Sequence, residues 1–222
     1  NNQLNRTLEV DVELFSGKTV VISGGAEGIG FAVAQAEGRG GMNVVITDIS
    51  TETLAHAQAS LSDQGITVLA LTADVRKEAE WQRVVEASIA QFGAIHGLMN
   101  NAGVGGGGSS GPIEEHSAED WRWTIDVNLM GVVFGMKTVV PHIKAAGGGW
   151  IVNVASMAGK LSQLSQPLQA KFSSAALTLP PKSDGRLARM STPRNALRFS
   201  AASACFAGSS SLPLKSKNGS PL

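Results

Sequence analysis

Over the first 155 residues the hydrophobic positions of this chain change period in a regular alternation. Lys18–Ser23 carries the β-branched run Thr19-Val20-Val21-Ile22, and Asn43–Asp48 carries Val44-Val45-Ile46-Thr47. Both predict buried strands. Ile66–Leu71, Ile95–Asn100 and Trp150–Ala155 predict three more. Between the strands the period lengthens. Gly28–Gly38 and Thr51–Gln64 predict helices, the second with Ser50 or Thr51 as its cap and Gly65 at its end. Val75–Phe92 sets Val75, Val84, Val85, Ile89 and Phe92 on one helical face. Ala118–Ala145 is a longer helical region in which Trp121, Ile125, Leu129, Val132 and Val133 recur near helical spacing. Strands alternating with helices make βαβ units. The predicted class is therefore α/β, a doubly wound parallel sheet with right-handed crossovers.

The first strand-to-helix turn carries the chemistry. It reads Ser23-Gly24-Gly25-Ala26-Glu27-Gly28-Ile29-Gly30. Glycine lets the backbone turn sharply and lets a phosphate come close. The helix that follows offers unpaired N–H groups and a positive dipole end to an anion. A plain tight connection would also use glycine, but three at this spacing fit a dinucleotide cradle better.

Composition narrows the function classes. Hydrophobic residues make up 43% of 222 and the formal net charge is zero, so the whole chain has no bias toward nucleic acid or membrane. No apolar run reaches the roughly 18–20 residues that span a bilayer, and the start has no signal-like segment, so a cytoplasmic setting is expected. The single Cys205 excludes an intrachain disulfide and a Cys-based metal site. His56, His96, His116 and His142 show no ligand spacing and read as structural or exposed. The zero charge hides a split. Residues 1–159 hold nine basic and seventeen acidic side chains, a net of minus eight; residues 160–222 hold nine basic residues and only Asp184, a net of plus eight. The organisation expected is residues 1–160 as one nucleotide-binding domain and 161–222 as a basic Ser/Pro-rich tail.

In order along the chain, six motifs resemble the short-chain dehydrogenase/reductase family. They are the Gly-rich turn Ser23–Gly30 (with Ser where the family has Thr), the acidic Asp48 after strand two, Asp74-Val75 after strand three, Asn100-Asn101-Ala102-Gly103 after strand four, Asn128 in Val127-Asn128-Leu129-Met130-Gly131, and Ser156 in Ile151-Val152-Asn153-Val154-Ala155-Ser156-Met157-Ala158-Gly159. The resemblance covers about residues 14–160 and implies a Rossmann-like fold, a nicotinamide cofactor and a small alcohol or ketone substrate. It implies cofactor contacts at Gly24, Ala26, Glu27, Gly28, Ile29, Gly30, Asp48, Asp74, Val75 and Asn101, with Asp74-Val75 by the adenine. It implies that Ser156 holds the substrate oxygen and that Asn128 supports a proton-relay water. Asp48 could instead cap the helix that follows, Asn101 could serve only to hold strand four, and Ser156 could be an ordinary strand-end serine. The Gly103–Gly111 loop reads equally as a mobile wall of the site or a neutral insertion. Glu27 and Asp48 stand where an NADP-binding relative would present a cation. Their charges would repel the extra phosphate, so NAD is expected over NADP.

The resemblance then breaks. The family places Tyr-x-x-x-Lys about thirteen residues after the serine, yet this chain has no tyrosine. Counting from Ser156 reaches Gln169 and then Ser173. An amide does not exchange a proton with an alcohol near neutral pH, and a serine carries no positive charge. Lys171-Phe172 resembles the close of the motif, but Pro167 stands four residues earlier. Lys171 is thus the remaining weak candidate for proton transfer. The tail holds six of the eight prolines and many serines, as a reading frame shifted between Gly159 and Lys171 would give. A genuine basic tail with an acidic partner is the rival reading. Nothing interleaves aromatics with basic residues as nucleic-acid binding would require. Five strands are expected, with the edge of the fifth exposed and stability marginal. The family is usually homo-oligomeric through helix four and the helix that bears Tyr and Lys. The absence of that second helix argues against a tetramer, and the alternative function is a catalytically silent NAD-binding remnant.

Overall fold

A computed structural model describes residues 15–105, 113–155 and the backbone of 177–179. Its strands are β1 (Thr19–Ser23), β2 (Asn43–Asp48), β3 (Val68–Thr72), β4 (Gly97–Asn100), β5 (Gly149–Asn153) and β6 (Leu177–Leu179), in the spatial order β3-β2-β1-β4-β5-β6. The first five run parallel, as predicted. The helices are α1 (Gly28–Arg39), α2 (Thr51–Asp63), α3 (Glu78–Phe92), α4 (Ala118–Ile125) and α5 (Gly131–Ala145), the last two joined by a π-helical turn at Asp126–Met130. A short 3-10 turn, Ile113–Glu115, precedes α4.

Neighbouring residues on the central strands go to opposite cores, which is the signature of helices on both faces. Val20, Ile22, Val44 and Ile46 pack with Ala34, Leu54, Ala57 and Leu61 of α1 and α2. Val21, Val45, Leu98 and Ile151 pack with Trp81, Val84, Val85, Val139 and Ile143 of α3 and α5. The strand order reverses between β1 and β4. In open α/β sheets ligands bind at the carboxyl ends of the strands on either side of such a switch.

Several expectations need correction. Helix α3 begins at Glu78, not Val75, because Asp74 turns the chain first: its Oδ1 accepts from the Arg76 N–H at 3.1 Å and its carbonyl from the Lys77 N–H at 3.0 Å. The buried face of the long helical region mixes apolar with small and polar positions. Thr124, Val127, Asn128, Gly131, Gly135, Val139 and Ile143 are buried, while Ile125 and Val133 are exposed. Glycine lets the helix sit close to its neighbours. A Cβ on Gly131 would lie 2.9 Å from Val75 Cγ2, and one on Gly135 2.9 Å from Trp81. The continuous stretch Ala118–Ala145 is long and apolar enough to cross a membrane by length and composition alone; here its α5 part packs on α3 and β4. The expected open edge of β5 is paired: β6 lies antiparallel against it, Ile151 opposite Leu177 and Gly149 opposite Leu179.

Candidate functional site

Three strand ends and one loop are stitched into a single rim at the carboxyl edge of the sheet. The Gly25 N–H donates to the Thr47 carbonyl at 3.0 Å, joining the Gly-rich turn to β2. The Ala73 N–H donates to the Asp48 carbonyl at 2.9 Å, joining β2 to the residue before Asp74. Asn101 closes the other side. Its Nδ2 donates to the Gly24 carbonyl at 2.9 Å and the Ser23 carbonyl at 3.2 Å. The buried Ser23 hydroxyl accepts from the N–H groups of Asn101 and Ala102, both at 3.1 Å. One side chain from β1 and one from the end of β4 thus lock the turn across the switch point.

The turn has the shape of a cradle. Gly24 and Gly28 have φ of 61° and 55°, a region that side chains rarely adopt. Gly24 and Gly30 face protein: a Cβ on Gly24 would meet Ala102 Cα at 2.8 Å, and one on Gly30 would run into the Gly24 carbonyl. Gly28 is different, with open space where its Cβ would be. Glu27, Gly28 and Ile29 are exposed and Ala26 is buried beneath them. The residues present therefore fit a dinucleotide: backbone N–H groups at the start of α1, room above Gly28, and two exposed apolar side chains, Ile29 at 63% and Ile49 at 65%, at the rim. Motif reading passed over Ile49. An apolar residue following the acidic end of β2 was the signal available.

Asp48 is not a helix cap. Ser50 caps α2, its hydroxyl accepting from the Thr53 N–H, while Asp48 Oδ1 accepts from the Ser50 N–H at 3.2 Å. Its second carboxylate oxygen is available at the half-buried end of β2. Asp74 is more tightly held: Arg76 Nε and Nη2 reach its two oxygens at 2.9 and 2.8 Å. The hydrogen-bonded Arg76 side chain holds the Asp74 carboxyl below the usual carboxylate range against the opposing effect of burial. Val75 accepts the Trp81 indole N–H at its carbonyl, 3.1 Å away.

Asn128 lies in the π-helical turn and is 3% exposed. Its amide grips the main chain of Val104 both ways: Oδ1 accepts from the Val104 N–H and Nδ2 donates to the Val104 carbonyl, each at 2.8 Å. This fixes where the Gly103–Gly111 loop leaves β4. Beneath it, Asn100 Nδ2 donates to Asn153 Oδ1 at 2.9 Å, and Asn100 Oδ1 is buried without a hydrogen-bond donor. Ser156, Lys171, Gln169 and the rest of the glycine loop lie outside the described residues. Among the described residues no three His, Cys, Asp or Glu side chains gather as a metal site.

The family model for short chain dehydrogenases matches residues 18–175. The chain belongs to the short-chain dehydrogenase family. The match runs fifteen residues past the span recognised from its motifs. A CLA biosynthesis dehydrogenase/reductase of Lactiplantibacillus plantarum is 37% identical over 74% of this chain and 57% of its own length. A cyclohexanol dehydrogenase of an Acinetobacter species is 39% identical over 65% of this chain and 57% of its own. A short-chain dehydrogenase/reductase from Burkholderia phymatum, solved in complex with NAD, superposes with a TM-score of 0.66 at 38% identity over 70% of this chain and 54% of that one. The chain thus spans a little over half the length of these relatives.

Proposed function

We propose that this short-chain dehydrogenase is NAD-dependent and belongs to a reaction that moves a hydride between nicotinamide and an alcohol or ketone carbon, and that the 222-residue sequence as it stands binds cofactor with little or no turnover. The observation that carries the binding half is the Asn101–Ser23–Gly24 staple, which pre-forms the cradle across the switch point. Relatives named for cyclohexanol and for hydroxysteroids support an alcohol substrate. Bound NAD would supply the hydride acceptor. Glu27, Asp48 and Ile49 are assigned to the adenosine side. The acidic pair favours NAD, because both carboxylates would repel a ribose phosphate. On the substrate side Ser156 is assigned to the substrate oxygen and Asn128 to a relay water. Asn128 Oδ1 and Nδ2 each make one bond to Val104, which fixes the side chain beside the loop that leaves β4. Ile125 and Val133, exposed on α4 and α5, support a homo-oligomer face.

Silence follows from residue types. A positioned acid contributes ~10²–10⁴-fold, and a serine hydroxyl has too high a pKa to replace a tyrosine. We infer that the tail was read out of frame; a neighbouring frame that encoded Tyr-x-x-x-Lys about thirteen residues after Ser156 would support this, and its absence from all three frames would refute it. The cofactor reading is tested by fluorescence titration. The chain should bind NADH more tightly than NADPH, and Asp48→Ala should weaken NADH and narrow the preference. Equal or tighter NADPH binding would refute the charge argument.

A further inference from the structure

The two edges of the sheet are closed in different ways. Along a strand, neighbouring residues turn their N–H and C=O groups to opposite sides. At β3 the Thr67 carbonyl accepts from the Val44 N–H, and the Ala73 N–H donates to the Asp48 carbonyl. Odd-numbered residues therefore face β2, and Val68, Ala70 and Thr72 face outward. The last of these is taken. The Thr72 carbonyl accepts from Arg83 Nη2, and a charged side chain on an edge discourages a further strand.

At β5 the Trp150 N–H donates to the His96 carbonyl at 3.0 Å and the Val154 N–H to the Asn100 carbonyl at 2.9 Å. Even-numbered residues face β4, so Gly149, Ile151 and Asn153 turn their backbone groups outward. The register with β6 sets Gly149 opposite Leu179, Trp150 opposite Thr178 and Ile151 opposite Leu177. In an antiparallel pair, residues whose backbone groups face each other exchange two N–H···O bonds. Gly149 with Leu179 and Ile151 with Leu177 are thus the bonded pairs, and the backbone groups of Thr178 face away from β5. The capped edge offers the backbone of one residue, Thr178, where β5 alone would offer three. Pro180 and Pro181 follow in the sequence and have no N–H with which to extend that edge.

Without the cap, β5 would be self-complementary. Two copies related by a two-fold axis at Ile151 would set Ile151 against Ile151 and Gly149 against Asn153, all of them outward-facing residues. That arrangement makes three bonded pairs where β6 makes two. The segment on the same chain still wins in dilute protein, because its effective concentration is about millimolar.

We propose that the outward row of β5 is a strand-docking edge for a second copy of this chain, and that Leu177–Leu179 is its resident cap. Backbone pairing needs no particular side chain, so the role is independent of the tail's reading frame.

The experiment compares the full 222-residue chain with Leu177→Pro/Leu179→Pro, which removes both N–H groups aimed at β5, and with Thr178→Pro, whose lost N–H faces away. Residue-resolved amide exchange and sedimentation velocity are followed across the micromolar range. In wild type the Gly149 and Ile151 amides should exchange at least about tenfold more slowly than unpaired ones. In the dilute double variant they should lose that protection while Trp150, bonded to β4, keeps its own. With rising concentration the double variant should reach twice the wild-type mass and regain protection at Gly149 and Ile151. Thr178→Pro should stay close to wild type in both measurements. Unprotected Gly149 and Ile151 in wild type would overturn the proposal. So would a double variant that loses their protection yet keeps the wild-type mass throughout, or association that protects Val68–Thr72 instead. If the double variant also loses protection in β1 it has unfolded, and Leu179→Pro, which breaks one pair alone, takes its place in the same comparison.

Discussion

The β1–β2–β3 side of the sheet and the β4–β5 side are built from the same parallel ladder but hold their polar groups differently. On the first side the functional groups are held by two or more donors each. Ser23 accepts two N–H groups and the Asp74 carboxylate takes three donors from Arg76, while Asn101, at the end of β4, reaches across to two carbonyls of the Gly-rich turn. On the second side Asn128 is held to Val104 by two bonds of 2.8 Å, but the amides beneath it are less completely partnered. Asn100 Oδ1 has no donor, and Asn153 Nδ2 reaches only Met136 Sδ at 3.6 Å. Cofactor recognition needs backbone shape near strand ends, which local residues supply. Proton transfer needs a particular side chain from a distant helix, and this chain has no tyrosine to place there. On the proposed reading, binding persists where catalysis is lost.

The strongest way to break this contrast is to restore the missing half. Replacing the segment beyond Ser156 with the Tyr-x-x-x-Lys helix and following strands of a relative should raise alcohol oxidation by ~10²–10⁴-fold, read as NADH formation. No gain in a folded graft would mean that the first side is not competent either. Next in size is Gly30→Ala. Its methyl would overlap the Gly24 carbonyl and lie 2.6 Å from Asn101 Nδ2, and neither neighbour is the free end of a flexible side chain. A cost of ~1–3 kcal/mol in urea unfolding is expected, with NADH binding lost. Asn101→Ala should cost a similar ~1–3 kcal/mol, because the Ser23 and Gly24 carbonyls lose a donor, and should weaken NADH by about ten- to a hundredfold.

The smallest effect concerns the amino end of the sheet, away from the site. His96 Nδ1 accepts from the Thr19 N–H at 3.1 Å, which requires the neutral ring. Burial, helped by the charge of Lys18, holds its pKa below the ordinary imidazole value. The unfolded chain then takes up a proton more readily than the folded one. The contribution to stability is present above about pH 6.5 and is lost as pH falls below it. His96→Gln keeps an acceptor that does not titrate. Its unfolding free energy should fall less than that of wild type between about pH 7 and pH 5. Parallel profiles would remove His96 from the account.

How much of this was legible depended on range. The strands β1 and β2, the cap at Ser50 and the Gly24–Gly30 cradle follow from neighbours in sequence, and motif order led to the fold. The start of α3 was misjudged because one carboxylate, Asp74, competes with helical hydrogen bonding by accepting from the Arg76 N–H. Apolar spacing alone did not show the buried face of α5, because Gly131 and Gly135 share it with Val139 and Ile143 and allow close approach to Val75 and Trp81. The Arg76 fork and the grip of Asn128 on Val104 depend on side-chain geometry that no spacing rule expresses. Asp-x-Arg at a strand end was the one local hint of the first.

The central claim is that binding and turnover have come apart in this chain. The direct test mixes the purified 222-residue protein with NAD and a secondary alcohol such as cyclohexanol, following NADH formation while a parallel titration measures NADH affinity. The account predicts saturable NADH binding with turnover at or near background. Robust oxidation that Ser156→Ala abolishes, or the absence of any NADH binding by folded protein, would contradict it.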